Sequence, residues 1–242
     1  MNARDIDLAT IRMWPAAIAE QHHGWFYLAS GGVTGRVNAV WPLEWTGRDV
    51  NAAIDHAEAW YAARRLPPRF KLTDSAFAPA DLPDRLARRG YASVMPTLVM
   101  TAPVRATNAT ADVILHDTLP AAFGAAIRET SKDDAEYDER LNIALRAPQP
   151  AAFALIEQDG RAVAIGMCAA AGDLAGVFLM RTAPEARRQG LARQIFRALM
   201  AKCGEWETTT AFLQVDADNA AAIALYESEG FSPLATYRFW RK

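Results

Sequence analysis

The sequence predicts an α/β (α+β) protein built in two similar halves. Composition is the first ground. Of 242 residues, 51% are hydrophobic and 22% charged, which supplies a core and excludes a disordered chain, a collagen-like fibre or a charged coiled coil. The second ground is alternation, with short strand-like runs separated by stretches of helical spacing. The third is a recurring order of elements: strand, helix, strand, short helix, a Gly–aromatic pair, strand. It occurs once on each side of a linker read at residues 103–110.

Each element has a local reason. Residues 6–21 have helical spacing, with Ile6, Ile11, Ala17 and Ile18 among polar neighbours, and Gly24 ends the stretch. Residues 25–29 read as a strand, Gly31-Gly32 as a turn and 33–41 as a second strand. Residues 49–65 predict a helix with Ile54, Ala57 and Tyr61 on one face, stopped by Pro67-Pro68. Residues 69–72 form a short strand, 81–89 a helix closed by Gly90, and 91–101 a long strand. The second half starts with a strand at 112–115 and helices at 121–129 and 133–146. Ser131 and Asp134 have the spacing of a capping box. Asp159-Gly160 between the runs 152–157 and 162–169 predicts a hairpin. Gly172-Asp173 turns the chain into a strand at 174–182. A helix at 187–202 aligns Leu191, Ile195 and Leu199. A strand at 211–215, a helix at 219–229 and a strand at 231–240 complete the order. We read the repetition as a diverged internal duplication, residues 1–104 and 105–242, against the plainer reading that any two α/β halves look alike.

Charge and cysteine content narrow the function. The net charge is −2 and the pI about 6.1, so no basic field points to nucleic acid. Neither half departs far from neutrality. Two cysteines, Cys168 and Cys203, exclude a disulfide scaffold and suit a reducing cytoplasm. Zinc would need more ligands than these and four scattered histidines supply, so no metal is expected. Arg4, Asp5 and Asp7 argue against a signal peptide. The apolar stretch 162–180 is broken by Asp173 and fits two strands and a turn better than a membrane span.

One segment carries chemistry. In residues 182–192 a strand runs through a turn into a helix, and Arg187, Gly190 and Ala192 are spaced R-x-x-G-x-A. The first N–H groups of a helix lack intrahelical partners, and its dipole favours an anion there. Gly190 and Ala192 leave room for a phosphate, and Arg187 and Arg188 add cationic donors. The plain reading is an ordinary helix start. A second constellation favours the site: Asn219, Ala222, Tyr226, Gly230 and Phe231 follow N-x-x-A-x-x-x-Y-x-x-x-G-F. Asn219 and Tyr226 lie two helical turns apart on one face, where a phenol can protonate a leaving thiolate. Alone, Asn219 would be an N-cap and Tyr226 a half-buried core residue.

Together these motifs resemble the GNAT superfamily of acyl-CoA-dependent N-acyltransferases. The pyrophosphate motif is met at Pro184, Arg187, Gly190 and Ala192, with Thr182 where a valine is frequent. The resemblance covers about the last 130 residues well. It implies two GNAT-like halves, each a mixed, mostly antiparallel sheet flanked by helices, the second half catalytic. It further implies acetyl-CoA as cosubstrate, with pantetheine beside Met180 and Thr182 and against Asn219 and Ala222. The pyrophosphate would sit on the N–H groups of Arg188, Gln189, Gly190, Leu191 and Ala192. Tyr226 would be the general acid as an amine of a small molecule or peptide attacks the thioester.

There are departures. The position where relatives often carry a glutamate base holds Gly176. Glu129, Asp133, Asp134, Glu136, Tyr137 and Asp173 stand as candidates, and the acidic run 133–139 either attracts a cationic amine or is simply a helix first turn. His116 is read as structural. The first half lacks R-x-x-G-x-A across residues 43–48 and has Leu86, not tyrosine, four residues before Gly90. It is expected to bind no CoA and to shape the acceptor pocket or the interface between halves. A catalytically weak acyl-CoA-binding regulator is the alternative to an enzyme. A cytoplasmic location fits, a homodimer is compatible, and neither nucleic acid nor membrane is expected as partner.

Overall fold

A computed structural model of the chain describes residues 1–105 and 112–242. The first half contains α1 (Ala3–Met13), β1 (Ile18–His22), β2 (Trp25–Ala29), a 3-10 turn (Gly35–Val37), β3 (Val40–Trp41), α2 (Val50–Ala62), β4 (Arg69–Thr73), α3 (Leu82–Arg88) and β5 (Ala92–Pro103). The second contains β6 (Ile114–His116), α4 (Ala121–Glu129), α5 (Asp134–Leu145), β7 (Ala151–Gln158), β8 (Arg161–Ala171), β9 (Leu174–Thr182), α6 (Leu191–Glu205), β10 (Thr210–Asp216), α7 (Ala220–Ser228) and β11 (Ser232–Arg241).

All strands join one 11-stranded sheet in the order β1-β2-β3-β4-β11-β5-β10-β9-β8-β7-β6. The centre is the antiparallel pair β5–β11, the last strands of the two halves. Each also pairs with the other half: β11 with β4 and β5 with β10. Reading outward from that pair, β4 and β10, β3 and β9, β2 and β8, and β1 and β7 occupy equivalent places. The pairs β3–β4 and β9–β10 are parallel, and the other neighbours are antiparallel. The halves thus repeat as pairing patterns, as a duplication requires, and they are joined by strand exchange.

The second half is buried on both faces with period two. In β7, Ala151, Phe153 and Leu155 join the apolar cluster that holds Phe123, Ile127 and Ile143 of α4 and α5. The alternate residues Ala152, Ala154 and Ile156 join the cluster holding Ile195 and Leu199 of α6. Asp159 and Gly160 are both left-handed, φ +50° and +74°, as the predicted hairpin turn requires. On the first face, Met13 and Trp14 of the first half pack into the same cluster as Phe178 and Phe212.

Several sequence expectations are corrected. The helix read over 6–21 ends at Met13, and 18–22 is an exposed strand paired with β2. Pro15 explains the break, because the residue before proline is driven out of helical conformation. The strand read over 33–41 shrinks to Val40–Trp41. Backbone donors at its start and just before it are taken by side chains instead: Asn38 Oδ1 accepts from Ser30 and Gly32 N–H at 2.8 and 2.9 Å, and Glu139 accepts from Val33 and Thr34 N–H. The second half's first strand spans only Ile114–His116. Asp133 caps α5, accepting from Glu136 N–H at 2.8 Å, while Ser131 Oγ turns back to donate to Ile127 O. The helix read from 187 starts at Leu191. Most of the linker read at 103–110 lies outside the described residues.

Candidate active site

After β9 the chain makes a 3-10 turn at Pro184–Ala186. Arg187 is extended, and Arg188 and Gly190 are left-handed at φ +62° and +78°. Among the described residues, the N–H groups of Arg188, Gln189, Gly190, Leu191 and Ala192 donate to nothing in the chain. Gly190 is the N-cap of α6 and supplies no side-chain cap. A Cβ built there meets no atom within 4 Å, so the approach is open. Free donors on a left-handed loop at a helix N-terminus form an anion cradle. The side chains divide the work. Leu191 is buried in the α6 cluster, Arg187 Nε donates to Thr182 O at 3.4 Å, Gln189 Nε2 donates to Glu185 O at 3.4 Å, and Arg188 is exposed.

The second feature is an opening in the sheet. β10 pairs with β9 only at Thr210–Phe212, opposite Leu174–Gly176, yet it stays paired with β5 through Asp216. Leu179 is left-handed at φ +51°. The β8–β9 register shifts between Ile165 and Met167, opposite Arg181 and Phe178. This bulge bends β9 away from its neighbour. A cavity of about 360 Å³ lies at the gap, with Met180 on one wall and Asn219, Ala222 and Tyr226 of α7 on another. Asn219 caps α7 by accepting from Ala222 N–H at 3.1 Å, so its N-cap reading holds while the residue also faces the cavity. Tyr226 is 7% exposed, its ring 5.4 Å from that of Phe196. Burial pushes its phenol up to about 12. Thr182 is not on the cavity wall: it pairs with Ala164 and links the gap to the loop.

The far wall is made by both halves. Trp14, Thr34, Arg36 and Thr97 come from the first, Arg140, Arg181, Asp216 and Tyr237 from the second. Trp14 stacks on Phe178 with centroids 5.2 Å apart. None of the candidate bases named from sequence lies on this wall. Glu129 pairs with Arg161 at 3.1 Å and Asp134 with Arg128 at 2.6 Å. Tyr137 lies under the Arg128 guanidinium at 3.8 Å, Asp133 is a cap, and the Asp173 carbonyl accepts from Thr209 and Thr210 N–H. Glu136 is bound to Arg140 and lies 3.9 Å from Arg181. His116 sits on β6, off the wall. Asp216, which sequence reasoning passed over, is the carboxylate lining the cavity. A Cβ at Gly176 would come within 2.5 Å of Phe178 Cζ and 2.8 Å of Phe212 Cζ. Glycine is there because two rings meet over it, on the still-paired part of β9.

The equivalent place in the first half is the start of α2. There Asp49 is the N-cap, its Oδ1 accepting from Asn51 and Ala52 N–H at 2.8 and 3.1 Å. A cavity of about 380 Å³ beside it is lined by His22, His23, Trp45, Arg48 and His56. Among the described residues, no His, Cys, Asp and Glu cluster of three or more has a metal-holding arrangement, and no helix is long and apolar enough to cross a membrane.

Comparison with known proteins covers the whole chain. The family model described as the C-terminal part of the probable histone acetyltransferase Rv0428c matches residues 1–240. The uncharacterized N-acetyltransferase YobR of Bacillus subtilis is 26% identical over 256 aligned residues, 98% of this chain and 97% of that protein. The Escherichia coli protein named [ribosomal protein bS18]-alanine N-acetyltransferase is 38% identical over 77 residues, 32% of this chain and 52% of its own length. Among solved structures, a GCN5-related N-acetyltransferase from Kribbella flavida aligns with TM-score 0.70 at 19% identity, over 100% of this chain and 96% of that one. A tandem GNAT protein from the clavulanic acid pathway aligns with TM-score 0.60 at 15% identity, over 83% and 72%. Those two likenesses establish the shared fold.

Proposed function

The chain belongs to the acetyltransferase family of the Rv0428c C-terminal region and is a tandem GNAT N-acetyltransferase; from that premise we propose that its second half transfers an acetyl group from acetyl-CoA to a primary amine of a small molecule or peptide. The observation that carries this is the opening between β9 and β10, walled by a buried tyrosine, at the end of β9 that leads on to an uncapped helix. The residues present fit the cosubstrate. The free N–H groups from Arg188 to Ala192 would hold the pyrophosphate, with Arg187 and Arg188 adding charge. Met180, Asn219 and Ala222 would flank the pantetheine, and Thr182 would join the two regions.

The reaction needs proximity, a proton acceptor for the amine and a proton donor for the thiolate. The amine nitrogen bonds to the thioester carbonyl carbon, and the carbon–sulfur bond breaks. Tyr226 gives its proton to sulfur, and Asp216, which lines the same cavity, takes the proton the amine loses. Burial suits Tyr226 to this: with its phenol pushed up to about 12, it stays protonated across the physiological range. The first half contributes wall rather than cofactor site, through Trp14, Thr34 and Arg36. We keep the division at residues 104 and 105 as the boundary of the two units. A reducing cytoplasmic setting fits the buried free thiols Cys168 and Cys203.

The test is CoA release over an amine panel by the native chain and by Tyr226→Phe. The variant is expected to keep its acetyl-CoA affinity and to lose about 100-fold in kcat. The native kcat should show no alkaline fall centred near pH 10, because the folded phenol titrates about 2 units higher. An unchanged kcat in the variant would remove the acid role.

A further inference from the structure

Three arginines reach the acceptor wall from separate elements: Arg36 from the 3-10 turn of the first half, Arg140 from α5 and Arg181 from β9. Against them the wall carries one carboxylate, Asp216, whose Oδ1 accepts from Thr97 Oγ1 at 3.4 Å. The guanidinium groups are held in place. Thr10 Oγ1 donates to Ile6 O at 2.8 Å and accepts from Gln214 Nε2 at 2.9 Å. That fixes Gln214 so that its Oε1 accepts from Arg36 Nη1 at 3.2 Å. Arg181 Nη1 donates to Thr130 O. Arg140 pairs with Glu136 through Nη2, while its Nη1 is buried with no hydrogen-bond partner among the described residues.

The charges do not balance. One carboxylate, Glu136, serves both Arg140 and Arg181. Among the described residues no carboxylate pairs with Arg36, whose partners are the neutral Gln214 and the ring of Trp14 at 5.7 Å. Burial, with the nearby Arg36 as a smaller contributor, lowers the Arg140 pKa, and Glu136 and Glu139 only partly offset this. Like charges gathered in a half-buried place are costly unless an anion joins them. The cradle on α6 does not explain these arginines. Arg181 reaches the end of α4 and the start of α5, on the face opposite α6. The acidic run 133–139 therefore anchors the arginines and caps a helix.

On the reading of this cavity as the transfer site, we propose that the acceptor amine carries an anionic group, a carboxylate or a phosphate, seated against Arg36, Arg140 and Arg181 while its amino group faces Asp216. Bidentate contact with a guanidinium suits both anions, and an amine without one leaves the buried donor of Arg140 unsatisfied.

The experiment measures kcat/KM for acetylation of matched pairs by the full chain: each standard L-amino acid against its carboxamide, and O-phosphoethanolamine against ethanolamine. Acetyl-CoA affinity is measured in parallel by calorimetry. At least one anionic member should exceed its neutral twin by about tenfold or more, and the identity of that pair tells carboxylate from phosphate. Arg36→Gln, and separately Arg140→Gln, should bring the ratio toward unity with acetyl-CoA affinity unchanged. Neutral twins used equally well or better would overturn the proposal. So would a chain that binds acetyl-CoA and consumes no anionic amine. A native chain that does not bind acetyl-CoA would instead remove the cofactor reading underneath.

Discussion

Helices α2 and α6 start at equivalent places in the two halves, each after the edge of a parallel strand pair, and they end their N-termini differently. At α2 the carboxylate of Asp49 covers the N–H groups of Asn51 and Ala52. At α6 the cap is Gly190, left-handed, with no side chain to fill that role. The first arrangement satisfies a helix from within; the second leaves its donors for an outside anion. The surroundings agree. Gly47, just before α2, lies beneath the Trp45 ring, which leaves no room for a Cβ, whereas nothing lies within 4 Å of a Cβ at Gly190. Four residues before the glycine that ends the next helix, the first half has Leu86, fully buried, and the second has Tyr226 on the cavity wall. One pairing pattern thus carries a helix start capped by its own side chain in one half and an uncapped one in the other, and a few residues at helix starts decide which.

The largest way to break the contrast is to put a carboxylate on α6. Gly190→Glu strains a backbone at φ +78° and places negative charge where the pyrophosphate would lie. Acetyl-CoA affinity should fall by more than about 100-fold, since a lost charge-assisted set of contacts and a new repulsion each cost kcal/mol. Calorimetry on a variant with native circular dichroism checks this, and retained affinity would move the site elsewhere. The smaller intervention is Asp49→Ala. It removes an N-cap and should lower stability by about 1 kcal/mol in urea unfolding. It should create no second cofactor site, because Trp45 still lies over Gly47 and the R-x-x-G-x-A loop is missing there. A second equivalent of bound acetyl-CoA in that variant would show that the cap alone separates the halves.

Much of the site was legible locally. Asp159-Gly160, Gly190, Asn219 and Tyr226 act through turn chemistry, a left-handed cap and helical spacing, all of which depend on nearby residues. The parallel order of elements in the two halves was legible for the same reason. The exchange of β5 and β11 was not, because strand partners more than 100 positions apart leave no local pattern. Residues 18–22 sat inside a helical spacing that a single proline overrode. Glu139 looked like part of an acidic surface run. It is buried, and its partners Val33, Thr34 and Asn38 lie over 100 residues away. The far wall of the cavity escaped for that reason too: Arg36, Arg140 and Arg181 mean little until the fold brings them to one cavity. Asp216 ends its strand without a motif of its own. The bulge at Leu179 has no sequence mark, since leucine rarely adopts a positive φ.

Two equivalent helix starts, one covered by the Asp49 carboxylate and one left open at Gly190, should differ in whether they hold acetyl-CoA. Calorimetric titration of the native chain with acetyl-CoA decides this. A single equivalent should bind per chain, be lost in Gly190→Glu and be kept in Asp49→Ala. Two equivalents in the native chain, or one that survives Gly190→Glu, would mean that the two helix starts do not differ in this way.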